Sequence, residues 1–253
     1  MADFDFEGVF DEDYLYFYEP MLTPEASDEQ AEVIVRMLGL EPGAELLDVP
    51  CGHGRIAVRL AAAGYRVTGL DATELFLRVA ADEAAERGVD VELVHGDMRA
   101  LPWSERFDAL VNWFTSFGYF DDEENRAVLR EFQRALRPGG KLLLETLHRD
   151  RIVKTSPPPG VPTAFLHERG EDVMIDRNTV DPVEGRVATE RIVVREGRTR
   201  RTRFSVRLFT PSELRSWLED AGFARVEFVD ERGEPFGLES RRMLAIAERP
   251  RQS

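Results

Sequence analysis

Short apolar runs and longer amphipathic stretches alternate through the first 148 residues. The runs "AELLDV", "YRVTGLD", "VDVELVHGD", "RFDALVNW" and "KLLLETL" have strand length and are rich in Leu and Val. Around them lie segments with helical periodicity: "SDEQAEVIVRMLGL", "RIAVRLAAAG", "TELFLRVAADEAAERG" and "DDEENRAVLREFQRALRPGG". Ser27 or Asp28 is suited to cap the first helix and Gly39 to end it, Thr73 to cap the third, and Pro-Gly-Gly to stop the fourth. Nearly continuous apolar strands separated by helices predict a parallel sheet covered on both faces. Right-handed crossovers then give an α/β, doubly wound, Rossmann-like fold.

The period changes after His148. "KTSPPPGVP" is a stiff break. From about Thr163 to Leu208, "DVMIDRNTV", "RVATERIVV" and "TRFSVRLF" alternate with period two, with turns at Asp181 to Gly185 and at Glu196-Gly197. An antiparallel insertion is expected there. "TPSELRSWLEDAG" resumes the helical pattern, with Thr210 as cap and Pro211 at the first helical position. "FARVEFVD" and "RRMLAIAER" close the chain as strands.

Composition narrows the class. The 253 residues suffice for one sizeable core with a small lobe, and 48 acidic against 33 basic side chains give a net charge of -15. That balance opposes general binding to phosphate backbones, so no nucleic-acid partner is expected. A single cysteine, Cys51, excludes an internal disulfide and a cysteine metal cluster, and no metal is expected. The acidic start "MADFDFEGVFDEDY" lacks a basic secretory leader, and there is no apolar run of membrane-spanning length. The expected setting is cytoplasmic, without a membrane.

Candidate chemistry centres on "ELLDVPCGHGRIAVRLAAAGYRVTGLDA". Gly52, Gly54 and Ala57 form G-x-G-x-x-A between a strand and a helix, and Asp71 ends the next strand. Such a loop lets a ligand approach the backbone, and such an acid accepts from ribose hydroxyls. A dinucleotide and a methyl donor both suit the loop. Asp48, however, stands at the strand tip, with Val49-Pro50-Cys51 before the first glycine. A carboxylate there would repel a pyrophosphate and attract a cationic amino group, as in S-adenosylmethionine. "HGDM" follows the third strand, where Asp97 can accept from an adenine amine and Met98 can cover the ring.

Together these segments resemble the class I S-adenosylmethionine-dependent methyltransferases, over about Glu41 to Thr146 and Thr210 to Glu248. "LLDVPCGHGR", "VTGLDA", "GDM", "FDALVNWFTSFGYF" and "LREFQRALRPGGKLLLE" carry the resemblance in order. It implies a seven-stranded sheet with its last strand antiparallel, S-adenosyl-L-methionine as cofactor and a small-molecule acceptor. Asp48 and Gly52 would then lie against the methionine part and Asn112 near it, with Pro50 and Gly54 also binding the cofactor. Asp71 and Ala72 would lie at the ribose, and Gly96, Asp97 and Met98 at adenine. The family often folds an N-terminal segment over the cofactor, and "DYLYFYEP" looks like such a lid, with Tyr18 or Tyr14 offering a hydroxyl. If extended, that segment would place Tyr14, Tyr16 and Tyr18 on one face. The expected organisation is therefore 1–150 for lid and cofactor core, 151–209 for the insertion and 210–253 for the end of the core. A weaker likeness to sugar N-methyltransferases makes the insertion an acceptor wall or a homodimer contact.

On the acceptor side, Tyr14, Trp113, Phe117 and Tyr119 are candidate pocket walls. His148 is the candidate base and Glu145 a candidate to orient an amine, both at the rim of the fifth strand. Against each stands a plain packing or salt-bridge role. The insertion's arginines, Arg186 to Arg203, bind an acidic or phosphorylated acceptor, form the solvated face of a hairpin, or pair with the acidic remainder of the chain. Methyl transfer to nitrogen or oxygen leads. A nicotinamide-dependent oxidoreductase and a non-catalytic cofactor-binding protein are the alternatives.

Overall fold

A computed structural model describes residues 4–251; the outermost residues of the acidic start and of the C-terminus lie outside that range. Seven strands form the central sheet: β1 (Glu45–Asp48), β2 (Arg66–Asp71), β3 (Val91–His95), β4 (Phe107–Asn112), β5 (Leu136–Leu147), β10 (Ala224–Val229) and β11 (Arg242–Glu248). Their order is β3-β2-β1-β4-β5-β11-β10. Pairings from β3 through β5 are parallel, while β11 runs antiparallel to both β5 and β10. The expected doubly wound sheet and its antiparallel closing strand are both present.

Each face buries its own core. Ile34 and Leu38 of α3 (Pro24–Leu38) and Leu60 of α4 (Ala57–Ala62) pack against Leu46, Ala109 and Leu143 on one face. On the other, Leu129 and Phe132 of α6 (Asp122–Ala135) and Leu214 and Trp217 of α8 (Pro211–Asp220) pack against Leu110, Leu142 and Leu144. Burial on both faces explains why these strands read as apolar runs. Helix α5 (Glu74–Arg87) follows β2 and ends at Gly88 in the left-handed region.

Local chemistry moved some boundaries. α3 is capped by Thr23, whose Oγ1 accepts from Ala26 N at 3.2 Å, with Pro24 at the first helical position. That places the start earlier than Ser27 or Asp28. α6 has a full capping box between Asp121 and Glu124. Between β5 and the insertion lies a short helix that the sequence pattern did not show, α7 (Arg149–Thr155).

The insertion is a four-stranded antiparallel meander: β6 (Thr163–Arg169), β7 (Asp172–Asp181), β8 (Arg186–Arg195) and β9 (Arg198–Arg207). Alternation revealed three of its strands. β6 is an edge strand whose Phe165 and Leu166 are both exposed, so it lacks the half-buried rhythm. Glu196 and Gly197, both at positive φ, close the β8–β9 hairpin.

The N-terminal segment is helical rather than extended. α1 (Phe6–Val9) and α2 (Glu12–Tyr18) start at Asp5 and Asp11, whose carboxylates accept from Gly8 N and Tyr14 N. Tyr14 and Tyr18, four residues apart, share a helix face and stack at 4.3 Å. Tyr16 points elsewhere and donates its hydroxyl hydrogen to the carbonyl of Arg169. No helix among the described residues is long and apolar enough to cross a membrane.

Candidate active site

A cavity of about 290 Å³ opens at the carboxyl ends of β1 and β2, under α1–α2 and beside the inner face of β7–β9. This is the crevice where doubly wound sheets place ligands.

The glycine loop forms its floor. Gly52 and Gly54 both adopt positive φ. A Cβ on Gly54 would sit 2.6 Å from the Cβ of Ala80, so this glycine lets the loop pack on α5 and does not itself line the cavity. Gly52 does line it, and its N–H donates to Asp71 Oδ2 at 2.8 Å. The other Asp71 oxygen accepts from Thr73 N at 2.8 Å. Burial raises the Asp71 pKa, and these two backbone donors oppose that shift. The Thr73 side chain adds a third hydrogen bond, and the four acceptor sites of a carboxylate still leave room for a hydroxyl donor.

Asp48 is 2% exposed, and its Oδ2 has no hydrogen-bond partner. Burial pushes its pKa up to about 7, against the pull of Arg55. Arg55 is itself 6% exposed; it follows Gly54 directly and was not singled out from sequence. Its Nη1 donates to Gln30 Oε1 at 2.8 Å, its guanidinium lies over Phe114 at 4.8 Å, and its Nη2 has no partner. The cavity wall thus carries one orphaned acceptor and one orphaned donor of opposite charge. A buried unpaired polar group is costly, and a bound zwitterion such as the methionyl end of S-adenosylmethionine offers a partner to each. On that observation the donor set fits the cofactor.

Other expected cofactor residues divide. Tyr18, Pro50, Ala72, Gly96 and Met98 line the cavity. Asp97 does not: its carboxylate is engaged by the backbone and guanidinium of Arg99 at 2.7 to 2.9 Å. Asn112 is wholly buried behind the lining, where its Nδ2 ties β4 to the glycine loop through Val49 O at 2.7 Å.

Of the expected acceptor wall, Tyr14, Trp113 and Tyr119 line the cavity. Phe117 lies in the core, stacked on Phe209 at 5.4 Å. Neither candidate catalytic side chain lines the cavity. His148 is buried at the start of α7, with Nδ1 2.7 Å from the Ser240 carbonyl and its ring against Phe236. Glu145 accepts from Phe114 N at 3.0 Å and lies 3.5 Å from Arg242 Nε, so it braces two residues that do line the cavity. Among the described residues, His53 is the histidine that lines the cavity, and burial lowers its pKa to about 4, with Arg55 adding to the shift.

The insertion supplies a polar wall. Asp176 and Arg191 are direct cross-strand neighbours, as are Asn178 and Thr189, and all four line the cavity. Arg191 holds Asp176 through Nε and Nη2, both at 2.8 Å, and donates to the Tyr18 hydroxyl at 3.2 Å. Thr189 Oγ1 donates to Asn178 Oδ1 at 2.9 Å. The available signal was phase: Met174, Asp176 and Asn178 share one face of β7, so charge interrupts an apolar rhythm. The remaining arginines mostly face acids. Arg195 and Arg200 both reach Asp13 at 3.0 Å, Arg200 also pairs with Asp11, and Arg169 reaches Glu19 at 2.5 Å. The basic face of the insertion holds the acidic N-terminal helices over the cavity.

Fold and cavity together define a Rossmann-like methyltransferase, and comparison with known proteins agrees. The sequence profile of the family described as "Methyltransferase domain" matches residues 46–140. The cypemycin N-terminal methyltransferase of a Streptomyces species is 32% identical over 213 residues, covering 82% of this chain and 84% of that protein. Among solved structures, an S-adenosylmethionine-dependent methyltransferase from Clostridium acetobutylicum superposes with a TM-score of 0.78 at 15% identity, covering 94% of this chain and 98% of the other. The sugar N-methyltransferase KedS8 from a Streptoalloteichus species gives 0.67 at 19% identity, covering 99% and 97%. The chain belongs to the class I S-adenosylmethionine-dependent methyltransferases. Its cofactor is S-adenosylmethionine, which excludes the oxidoreductase alternative.

Proposed function

We propose that this methyltransferase acts on a nitrogen of a small molecule, an amine whose own lone pair attacks the methyl group. One observation carries the preference for nitrogen: the acceptor side of the cavity holds no strong unpaired base among the described residues. Asp176 is tied at both oxygens by Arg191. Burial keeps the phenols of Tyr14, Tyr18 and Tyr119 protonated, and a group with the low pKa of His53 is too weak to take a proton from a hydroxyl. An oxygen acceptor needs such help; a free amine does not. The Streptomyces relative is named as an N-terminal methyltransferase, and the N-terminus of a peptide is an amine.

The cofactor supplies an electrophilic methyl group on a sulfonium. The chain's part is to bind and orient. Asp48 faces the cofactor ammonium, Asp71 accepts from the ribose, and Gly96 and Met98 border the adenine. Tyr14, Trp113, Tyr119 and the polar wall of β7–β8 hold the acceptor, while α1–α2 keep water out. Correct alignment at roughly 3 to 3.5 Å supplies much of the rate in such a displacement.

The test is a matched panel of small amines and the corresponding alcohols, scored by formation of S-adenosylhomocysteine. Amines should react, with rates rising as each amine's own pKa is passed. Equal turnover of the alcohols, or a pH profile blind to the amine's pKa, would overturn the assignment.

A further inference from the structure

We infer that Arg55 is the carboxylate receptor of the cofactor site, so that Asp48 and Arg55 together select the intact amino-acid end of the methyl donor. This inference concerns the cofactor only and does not depend on the nature of the acceptor.

The guanidinium is buried on the cavity wall, and its neighbours do not neutralise it. Gln30 is a neutral acceptor on Nη1, and Phe114 offers only its ring face. Asp48 and Glu145 attract it at longer range, yet burial still lowers the Arg55 pKa. The Nη2 group has no partner, although an arginine with a free path would turn that group to water. A cation left in this state lowers stability unless something bound to the protein completes it.

Three features make the site a built one. Gln30 Oε1 accepts at 2.8 Å from both Arg55 Nη1 and Trp113 Nε1, which locks the guanidinium against a second lining residue. Arg55 lies one residue beyond Gly54, whose packing on Ala80 fixes the loop that carries it. The sign of each orphan matches one half of an α-amino acid: Asp48 Oδ2 accepts from an ammonium, and Arg55 Nη2 donates to a carboxylate. Asp48 alone would recognise any amine-bearing thioether of adenosine. Arg55 adds the requirement for the carboxylate.

Calorimetry on the full chain can separate these roles with three ligands. S-adenosylhomocysteine carries both charged groups, its decarboxylated 3-aminopropylthio analogue keeps the ammonium alone, and 5′-methylthioadenosine lacks both. For the wild type, S-adenosylhomocysteine should bind at least tenfold more tightly than the decarboxylated analogue. Arg55→Met should weaken S-adenosylhomocysteine by thirtyfold or more while changing the other two ligands less than threefold. Arg55→Lys should restore part of the preference. Equal weakening of all three ligands would show Arg55 to be a strut for Gln30 and Phe114 and would overturn the inference. Should Arg55→Met fail to fold, the wild type still decides: equal affinity for S-adenosylhomocysteine and its decarboxylated analogue overturns it. Absence of binding of any of the three ligands to the wild type would instead count against the cofactor assignment itself.

Discussion

Arg191 donates to the hydroxyl of Tyr18 at 3.2 Å while two of its nitrogens hold Asp176 at 2.8 Å. One side chain therefore joins the insertion, the N-terminal helices and the cavity wall. An arginine can only donate, so the Tyr18 oxygen accepts and its own hydrogen is free to point elsewhere. Arg191→Met would leave Asp176, 7% exposed, without its counter-ion. A loss of about 3–5 kcal/mol of stability is expected, measured by denaturant unfolding. The double variant Arg191→Met with Asp176→Leu should recover part of it; a double variant no more stable than the single one would show that packing, not the unpaired charge, sets the loss.

Asp71 braces the glycine loop and is the proposed ribose ligand. Asp71→Ala removes the expected ribose acceptor and also strands the N–H groups of Gly52 and Thr73, each now bonded at 2.8 Å. Cofactor affinity should fall by about 1–3 kcal/mol. Titration calorimetry with S-adenosylhomocysteine measures the loss, and unchanged affinity would remove Asp71 from the ribose site.

The parts legible in the sequence were those set by local periodicity. Buried parallel strands such as Leu46–Leu47 and Leu142–Leu144 announce themselves as apolar runs, and Asp48 and Asp71 stand out at their tips. What needed coordinates was direction and long-range pairing. Tyr14, Tyr16 and Tyr18 have the spacing of one strand face, but the caps at Asp5 and Asp11 make the segment helical and send Tyr16 away. Arg55 carries no local signal in the sequence; only the three-dimensional loop reveals its unfilled donor. Asp176 and Arg191 are separated by a hairpin, and nothing local says that they face each other across the ladder.

His148 illustrates the same limit, because position at a strand rim does not say where a side chain turns. Its ring is 2% exposed, bonded at Nδ1 to Ser240 and packed on Phe236 at 4.6 Å. His148→Ala should lower stability by about 1–3 kcal/mol through the lost hydrogen bond and packing. Turnover at saturating cofactor should stay near the wild-type level, with an unaltered pH profile. A shifted profile in the folded variant would return His148 to the chemistry.

The Asp48 carboxyl predicts opposite pH trends for the empty and the loaded protein. Burial raises its pKa from 3.8 to about 7 in the folded chain. Between those values the folded state holds a proton that the unfolded chain has released, so stability without cofactor should fall as pH rises from about 4 to about 7 and then level off. Cofactor affinity should move the other way, since the ionised carboxylate is the form that pairs with an ammonium. Asp48→Asn cannot titrate, and subtracting its melting curve from that of the wild type isolates this one group from the other acids. The difference should slope downward across that window, and calorimetric affinity for S-adenosylhomocysteine should rise between about pH 6 and about pH 8 in the wild type alone. Parallel pH dependences in both proteins would show that Asp48 is ionised throughout and is neutralised in the empty cavity by Arg55.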